Sequence, residues 1–297
     1  MLSMSLNYLD LLKKSWEGFK ENPVLILPLL ISLFLFLGFV LVVGLELVVF
    51  IIVFSKEILS APMLILKNPI GIFLLVFFGI ADMVFIWMIS SYIKAMQIGL
   101  YGEVTKNKKV TADDMFKYGK QLFRIYFEYQ LAKFVIFVVP ILIFVSITYL
   151  CYLASKILAI FVGVLMFLLL LGYFVFVGFG LFFIEPIIVT EKKSIIGLLK
   201  QSFNYSVKNF GHVIITWGIT LVVAIGIALI MYIIKAPVSV VINVLKILGP
   251  GGPLLVLYGL SFLLEIVRGI VNVVLGIVLG LFVFNAYFAK SAKKKRK

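Results

Sequence analysis

Six apolar segments, each long enough to cross a lipid bilayer, dominate this chain of 297 residues. They occupy residues 24–54, 69–101, 129–153, 157–184, 210–234 and 269–289. A spanning helix needs about 20 apolar residues. Hydrophobic residues make up 64% of the chain, above the roughly 45–50% that is usual in soluble domains. The sequence therefore predicts an all-α, polytopic bundle of six transmembrane helices, with residues 1–297 forming a single integral membrane domain.

The polar connections between these segments are too short to form a separate soluble domain. The longest, residues 102–126 and 190–209, have room for one helix each. Residues 1–22 carry charges of both signs and lack the apolar core and cleavage site of a signal peptide. We therefore expect the first apolar segment to remain in the protein as a span.

The distribution of lysine and arginine predicts the orientation of the chain. Residues 1–22, 102–126, 190–209 and 290–297 carry most of the basic residues, and the connections on the other side carry few. Basic connections are retained in the cytoplasm. We expect a multi-pass protein of the cell (plasma) membrane with both termini in the cytoplasm.

The outer connection of residues 235–268 is apolar but contains Pro237 and the Gly-Pro run at 249–253. Proline and glycine at this density usually end helices. The pattern favours two short pieces, 238–248 and 254–264, that are interfacial or re-entrant. The alternative is that residues 254–289 form one long tilted helix.

Related amphipathic segments, at residues 11–16, 115–120 and 198–203, precede the first, third and fifth spans. The second opens with a capping-box pattern, Thr111 and Asp114. The sequence thus indicates a threefold repeat of one amphipathic helix followed by two spans. These helices are expected to lie in the inner interface, or to pack under the bundle as connectors, and the two interpretations are compatible. The basic residues on their polar faces that we expect to contact anionic phospholipid headgroups are Lys13, Lys14, Lys117, Lys120, Arg124, Lys200 and Lys208.

The formal net charge of +14 is spread as short clusters at the ends of apolar segments. This pattern favours the lipid bilayer as the partner and argues against nucleic acid, which requires a continuous basic surface. Cys151 and His212 are the single cysteine and histidine. No disulfide within the chain and no cysteine-based metal site can therefore be assembled, and we expect no catalytic, metal-binding or cofactor-binding residues.

Asp82 is the ionisable residue that the sequence places nearest the middle of the membrane. It lies about 20 Å along the second span at 1.5 Å per residue. A charge at that depth is costly, so the carboxyl group needs a polar neighbour, water or a proton. Its role is either a structural hydrogen bond between helices or the binding of a proton, ion or substrate. The candidate intramembrane polar site comprises Asp82, Thr216, Thr220 and Asn272, with Lys133 as a further candidate partner.

Two other features lie on or near the last span. Glu265 and Arg268 are three residues apart on one helical face, and the sequence predicts an outer ion pair between them or with Glu46. Gly276 and Gly280 form a GxxxG pattern, which permits close helix packing. That packing is either within the chain or at the seam of an oligomer.

Residues 185–209 carry a resemblance to a known family. Glu185-Pro186-Ile187-Ile188-Val189 is followed by Glu191, Ser194, Ser202 and Asn209. The stretch resembles the six-span membrane domain fused to glycerophosphodiester phosphodiesterases, and related uncharacterised membrane-protein families. The resemblance implies a membrane module with a role in lipid or envelope physiology. It implies no phosphodiesterase activity for this chain, because that chemistry belongs to a separate soluble barrel.

Together these observations predict a non-enzymatic multi-pass membrane protein that is lipid-interacting, membrane-organising or an accessory subunit. The alternative is a transporter or permease for a small or amphiphilic solute, with Asp82 as the midplane coupling residue. An intramembrane enzyme is less favoured, because Asp82 is the only aspartate within a predicted span.

Overall fold

The chain folds into long helices, six of which are long and apolar enough to cross a membrane. The structure is a computed structural model that describes residues 6–54, 68–191, 193–248 and 252–295, and no strand occurs among them. A 3-10 turn, Pro23–Ile26, joins the first two helices. The helices are α1 (Tyr8–Glu21), α2 (Leu27–Val53), α3 (Pro69–Val104), α4 (Ala112–Ala154), α5 (Lys156–Leu181), α6 (Ile184–Thr190), α7 (Ile195–Lys208), α8 (Phe210–Leu248) and α9 (Gly252–Lys295). The predicted all-α bundle of six spans is confirmed.

Side chains that pair with free backbone groups set the starts of several helices. Asn68 accepts a hydrogen bond from the backbone N–H of Ile70 at 3.0 Å, and Pro69 follows in the first helical position of α3. The predicted capping box is present at α4, where Asp114 Oδ2 accepts from the Thr111 backbone N–H at 3.0 Å. These caps satisfy N–H groups that have no partner within the helix.

The second amphipathic segment and the third span form one continuous helix, α4, of 43 residues. The capping box starts this helix on its polar part, and no helix-ending sequence separates that part from the apolar part. The amphipathic segment is therefore the first few turns of a span, whereas α1 and α7 are separate helices.

The expectation of two short pieces within residues 235–268 is wrong. Residues 238–248 continue α8 and residues 254–264 belong to α9, so the alternative of one long final helix is confirmed. Pro237 lies inside α8. A proline removes one backbone hydrogen bond, whereas ending a helix exposes several unpaired groups, which is costly where water is scarce. Residues 249–251 of the Gly-Pro run lie outside the described residues.

The packed core lies at one end of the bundle, here called the basic end. This end comprises α1, the loop of residues 105–111, α6, α7 and the last part of α9, residues 277–292. Ile98 and Leu100 of α3, Ile187 of α6 and Leu281 of α9 are fully buried there. Little of the spans is otherwise covered by protein: at most 28% of the most apolar stretch of any span is buried within the protein. A helix that is apolar on all sides and exposed must be covered by lipid.

The spans pair as three consecutive hairpins, α2 with α3, α4 with α5, and α8 with α9. Each hairpin corresponds to the two spans of one predicted repeat. The contacts within the hairpins include Phe39 with Phe85 at 6.1 Å and Phe137 with Phe174 at 5.2 Å between ring centroids, and the ion pair of Lys235 with Glu265.

Candidate functional site

At the basic end, each amphipathic helix packs against the second span of the preceding repeat. The first turns of α4 pack on α3, α7 packs on α5, and α1 packs on α9. The last contact joins the beginning of the chain to its end. The three repeats therefore close into a ring, which we call the basal ring.

A serine at the same position in the first and third repeats makes the contact between neighbours. Ser15 Oγ accepts a hydrogen bond from Asn285 Nδ2 at 2.9 Å and donates to the Leu11 carbonyl at 2.7 Å. Ser202 Oγ donates to the Gly180 carbonyl of α5 at 2.7 Å. Both serines are fully buried. These bonds satisfy polar groups at the points where α1 and α7 meet their neighbouring spans.

The second repeat has Gly119 at the equivalent position. It is buried, and an added Cβ would lie 2.9 Å from Met96 Cγ of α3. A small residue at this position therefore lets all three amphipathic helices approach the neighbouring span closely.

The spans contribute a matching signature that the sequence analysis missed. Each second span carries Gly-Leu-aromatic near the basic end, and its glycine faces an aromatic ring. An added Cβ would lie within 2.5 Å of that ring in every case, which no real Cβ tolerates. An alignment of the ends of the three second spans finds this pattern. The triplets are Gly99-Leu100-Tyr101, Gly180-Leu181-Phe182 and Gly280-Leu281-Phe282, and their glycines face Tyr118, Phe203 and Tyr101.

The basic residues predicted to contact headgroups are all exposed around the basal ring. They are distributed over α1, the start of α4 and α7, and the structure does not bring them into one cluster. Arg124 forms an ion pair with Glu128 at 3.1 Å. On α1, Trp16 is 42% exposed, with Lys20 Nζ 5.2 Å from its ring centroid. The exposed set is Lys13, Lys14, Lys117, Lys120, Arg124, Lys200 and Lys208.

A carboxyl group and three tyrosines meet inside the ring. Tyr126 donates a hydrogen bond to Glu185 Oε1 at 3.2 Å, which ties α4 to the first turn of α6. Tyr129 packs edge-on against Tyr126 at 5.5 Å, and both are buried. Tyr101 and Gln97 of α3 lie buried nearby. This cluster gives the carboxyl group polar neighbours at the interface between spans.

The single histidine ties α1 to α8. Tyr8 Oη and His212 Nδ1 lie 2.8 Å apart, and the imidazole stacks on Phe183 with 5.5 Å between ring centroids. Burial raises the pKa of the Tyr8 hydroxyl above its ordinary value. Tyr205 of α7 packs edge-on against Phe183 at 5.3 Å, and burial raises its pKa as well. The histidine therefore serves as a packing and hydrogen-bonding group.

Asp82 pairs with a residue that the sequence analysis did not assign to it. Its carboxyl group lies within hydrogen-bonding reach of the Glu46 carboxyl on α2, the other helix of the same hairpin. The predicted partners do not assemble around Asp82. Thr216 and Thr220 donate to carbonyls four residues earlier in their own helix, at 2.8 and 2.9 Å, and Asn272 is exposed. Lys133 is exposed as well.

The predicted outer ion pair is present in a modified form. Glu265 pairs with Arg268 at 3.7 Å, and also with Lys235 of α8. Glu46 is not a member, because it lies beside Asp82. The two helices of this hairpin are thus tied by charge far from the basic end.

The two glycines of the GxxxG pattern lie in different environments. Gly280 faces Tyr101 within the chain, whereas an added Cβ at Gly276 would meet nothing within 4 Å. Gly280 therefore serves packing within the chain.

Across the described ranges, no group of three or more His, Cys, Asp or Glu side chains is placed to hold a metal ion. Comparisons of the chain with protein-family models, curated proteins and solved structures give no match.

Proposed function

We propose that this chain is a non-enzymatic membrane protein whose basal ring contacts anionic lipid headgroups, with a role in membrane or lipid organisation or as an accessory subunit. One observation carries the proposal. Lys13, Lys117 and Lys200 occupy the same position in the three amphipathic segments, and all three are exposed. The fold thus presents a lysine three times around one end of the bundle.

Lysines in this setting bind anionic membrane surfaces by charge. Each contributes about 1 kcal/mol near an anionic surface. The exposed face of α1 also presents Leu9 and Trp16, and aromatic residues of this kind are typical of the membrane interface. Apolar side chains directed at lipid and lysines at headgroup level together define an interfacial helix.

We propose further that the basic end lies in the cytoplasm and that the protein lies in the cell membrane. The support is the concentration of lysine and arginine at this end, where α1 and the end of α9 meet. The resemblance of residues 185–209 to the membrane domain of glycerophosphodiester phosphodiesterases is consistent with a role in lipid physiology and remains a prediction.

Quenching of Trp16 fluorescence by brominated lipids tests the headgroup contact. The full chain, with Trp87 and Trp217 replaced by Phe, is reconstituted in mixtures containing brominated phosphatidylglycerol or brominated phosphatidylcholine. We expect stronger quenching by the anionic lipid. The triple variant Lys13→Gln, Lys117→Gln, Lys200→Gln should lose this preference.

The matched control is Lys156→Gln, which removes an exposed lysine at the other end of the bundle and should keep the preference. Equal quenching of the parent chain by the two lipids would contradict the proposal.

The pair of Glu46 and Asp82 favours a second candidate function, a transporter or permease coupled to protons. Two carboxyl groups in contact within hydrocarbon are stable when they share a proton. A pair of this kind gains and loses a proton if water reaches it. Infrared spectroscopy should show a protonated carboxyl band that the double variant Glu46→Gln, Asp82→Asn removes, because either carboxyl group of the pair can carry the proton. In proteoliposomes loaded with a pH-sensitive dye, an imposed pH gradient that decays at the same rate for the parent chain and Asp82→Asn would eliminate this candidate.

A further inference from the structure

A polar pocket of about 510 Å³ lies at the basic end between α1, the loop of residues 105–111 and α9. Its volume lies within the roughly 300–1,000 Å³ that is usual for sites of small ligands. Lys14, Glu17 and Glu21 of α1 form one wall, and they share one face of the helix because they are spaced three and four residues apart. The loop provides the opposite wall, with Lys108 and Lys109.

Hydrogen bonds hold the two walls in place. Asn22 Oδ1 accepts from the Val110 backbone N–H at 3.1 Å, and Asn22 Nδ2 donates to the Gly18 carbonyl at 2.9 Å. The loop turns at Asn107, whose φ of 60° lies in the left-handed region that asparagine tolerates better than most residues. Lys108 is fixed by an ion pair with Glu103 at 2.7 Å, and this partner raises the pKa of the lysine. The pocket is therefore preformed.

The charges that line the pocket are not neutralised by one another. Lys14 and Lys109 form no ion pair with any described residue, and neither do Glu17 and Glu21. The two ammonium groups and the two carboxylates nevertheless line the same volume. A molecule that carries an anionic and a cationic group would pair with both sets at once.

We propose that this pocket binds a phosphate ester that bears an ammonium group, of the phosphoethanolamine type. The phosphate oxygens are placed between Lys14 and Lys109, the two ammonium groups without an ion pair, with Lys108 beside them. The ammonium group is placed against Glu17 and Glu21. The same chemistry is offered by the headgroup of a zwitterionic phospholipid and by a free phosphoester in solution.

The site is distinct from the proposed lipid contact of the basal ring. None of Lys13, Lys117 and Lys200 lines the pocket. The two proposals can therefore be refuted independently. A loss of the preference of Trp16 for anionic lipid would leave ligand binding in the pocket unchanged.

Calorimetry on the full chain in nanodiscs of phosphatidylglycerol tests the proposal. The probes are glycerophosphoethanolamine, which carries both charges, and glycerol 3-phosphate, which lacks the ammonium group. We expect tighter binding of the first. The variant Glu17→Gln, Glu21→Gln should remove this difference. The variant Lys14→Gln, Lys109→Gln should weaken binding of both probes roughly a hundredfold, because each lost charged hydrogen bond costs about a factor of ten.

A lipid arm identifies the source of the ligand. After purification from membranes containing phosphatidylethanolamine, retention of that lipid by the parent chain but not by the lysine variant indicates the headgroup. Binding of the soluble probe with no retained lipid indicates the free phosphoester. Either result supports the site.

Lys20→Gln is the matched control, because it removes an exposed lysine of α1 that does not line the pocket. It should behave as the parent chain. The midpoint of thermal unfolding shows that each variant stays folded. The proposal is overturned if the parent chain binds neither probe and retains no phosphatidylethanolamine, or if both pocket variants bind as Lys20→Gln does.

Discussion

Gly180→Ala should destabilise the protein by preventing α7 from packing on α5. An added Cβ would lie 2.1 Å from Cε1 and 2.4 Å from Cδ1 of the Phe203 ring. The ring cannot simply turn away, because it packs against Phe176 at 5.7 Å between centroids and its helix is held by the hydrogen bond from Ser202 to Gly180. The helix itself must shift.

The size of the effect follows from the overlap. Overpacking costs about 1–3 kcal/mol, and an overlap of more than 1 Å corresponds to the upper part of that range. Replacing glycine by alanine within a helix returns about 1 kcal/mol. The net loss in the free energy of unfolding is therefore about 2 kcal/mol. It should lower the midpoint of thermal unfolding by about 4 °C or more for a chain of this length.

Thermal unfolding in detergent, followed by tryptophan fluorescence, measures this loss. Gly178→Ala is the matched control, since an added Cβ there meets nothing within 4 Å. It should leave the midpoint unchanged or slightly higher. In a double-mutant cycle, Phe203→Ala combined with Gly180→Ala should cost less than the sum of the two changes. Equal midpoints for Gly180→Ala and Gly178→Ala would refute the basal-ring packing at this contact.

Three further outcomes follow from the same contacts. Ser15→Ala should leave the buried amide of Asn285 without its partner and cost about 1–3 kcal/mol, measured as a lower midpoint of thermal unfolding; a midpoint equal to that of the parent chain would show that α1 does not depend on this bond. Gly280→Ala should lower the midpoint because of the ring it faces, whereas Gly276→Ala should not, and the reverse order would contradict the assignment of Gly280 to packing within the chain. Burial raises the pKa of Tyr205, so the folded protein retains the phenolic proton more strongly than the unfolded chain does. Stability should therefore fall as pH rises above about 10. Tyr205→Phe should flatten this dependence, and an unchanged slope would contradict the role of Tyr205.

The spans could be predicted from the sequence because each depends on a local property, a run of apolar residues. The threefold repeat was also visible, since lysines and aromatic residues mark each amphipathic segment. The positions at which the repeats meet could not be predicted from the sequence. Gly99, Gly180 and Gly280 occupy them, and these residues carry no charge and resemble the glycines of any membrane helix. Only the three-dimensional arrangement shows that each of them faces an aromatic ring.

Two predictions failed for physical reasons. Pro237 was expected to end a helix, yet α8 continues through it, because ending the helix there exposes more backbone groups to hydrocarbon. The partner of Asp82 depends on how α3 is rotated and tilted against its neighbours, which periodicity does not determine. Glu46 lies on the adjacent helix of the same hairpin. The sequence analysis considered it only as a member of the outer ion pair with Glu265 and Arg268.

Cross-linking between α1 and α9 tests the closure of the basal ring most directly. Cysteines replace Ser15 and Asn285 in a Cys151→Ser background, and the reconstituted full chain is treated with a short thiol cross-linker. We expect rapid cross-linking within one chain, seen as a band of altered mobility. The control pair, with cysteines at positions 9 and 285, should react little, because Leu9 is 78% exposed. Equal reaction of the two pairs, or none between positions 15 and 285, would show that the first helix does not pack on the last.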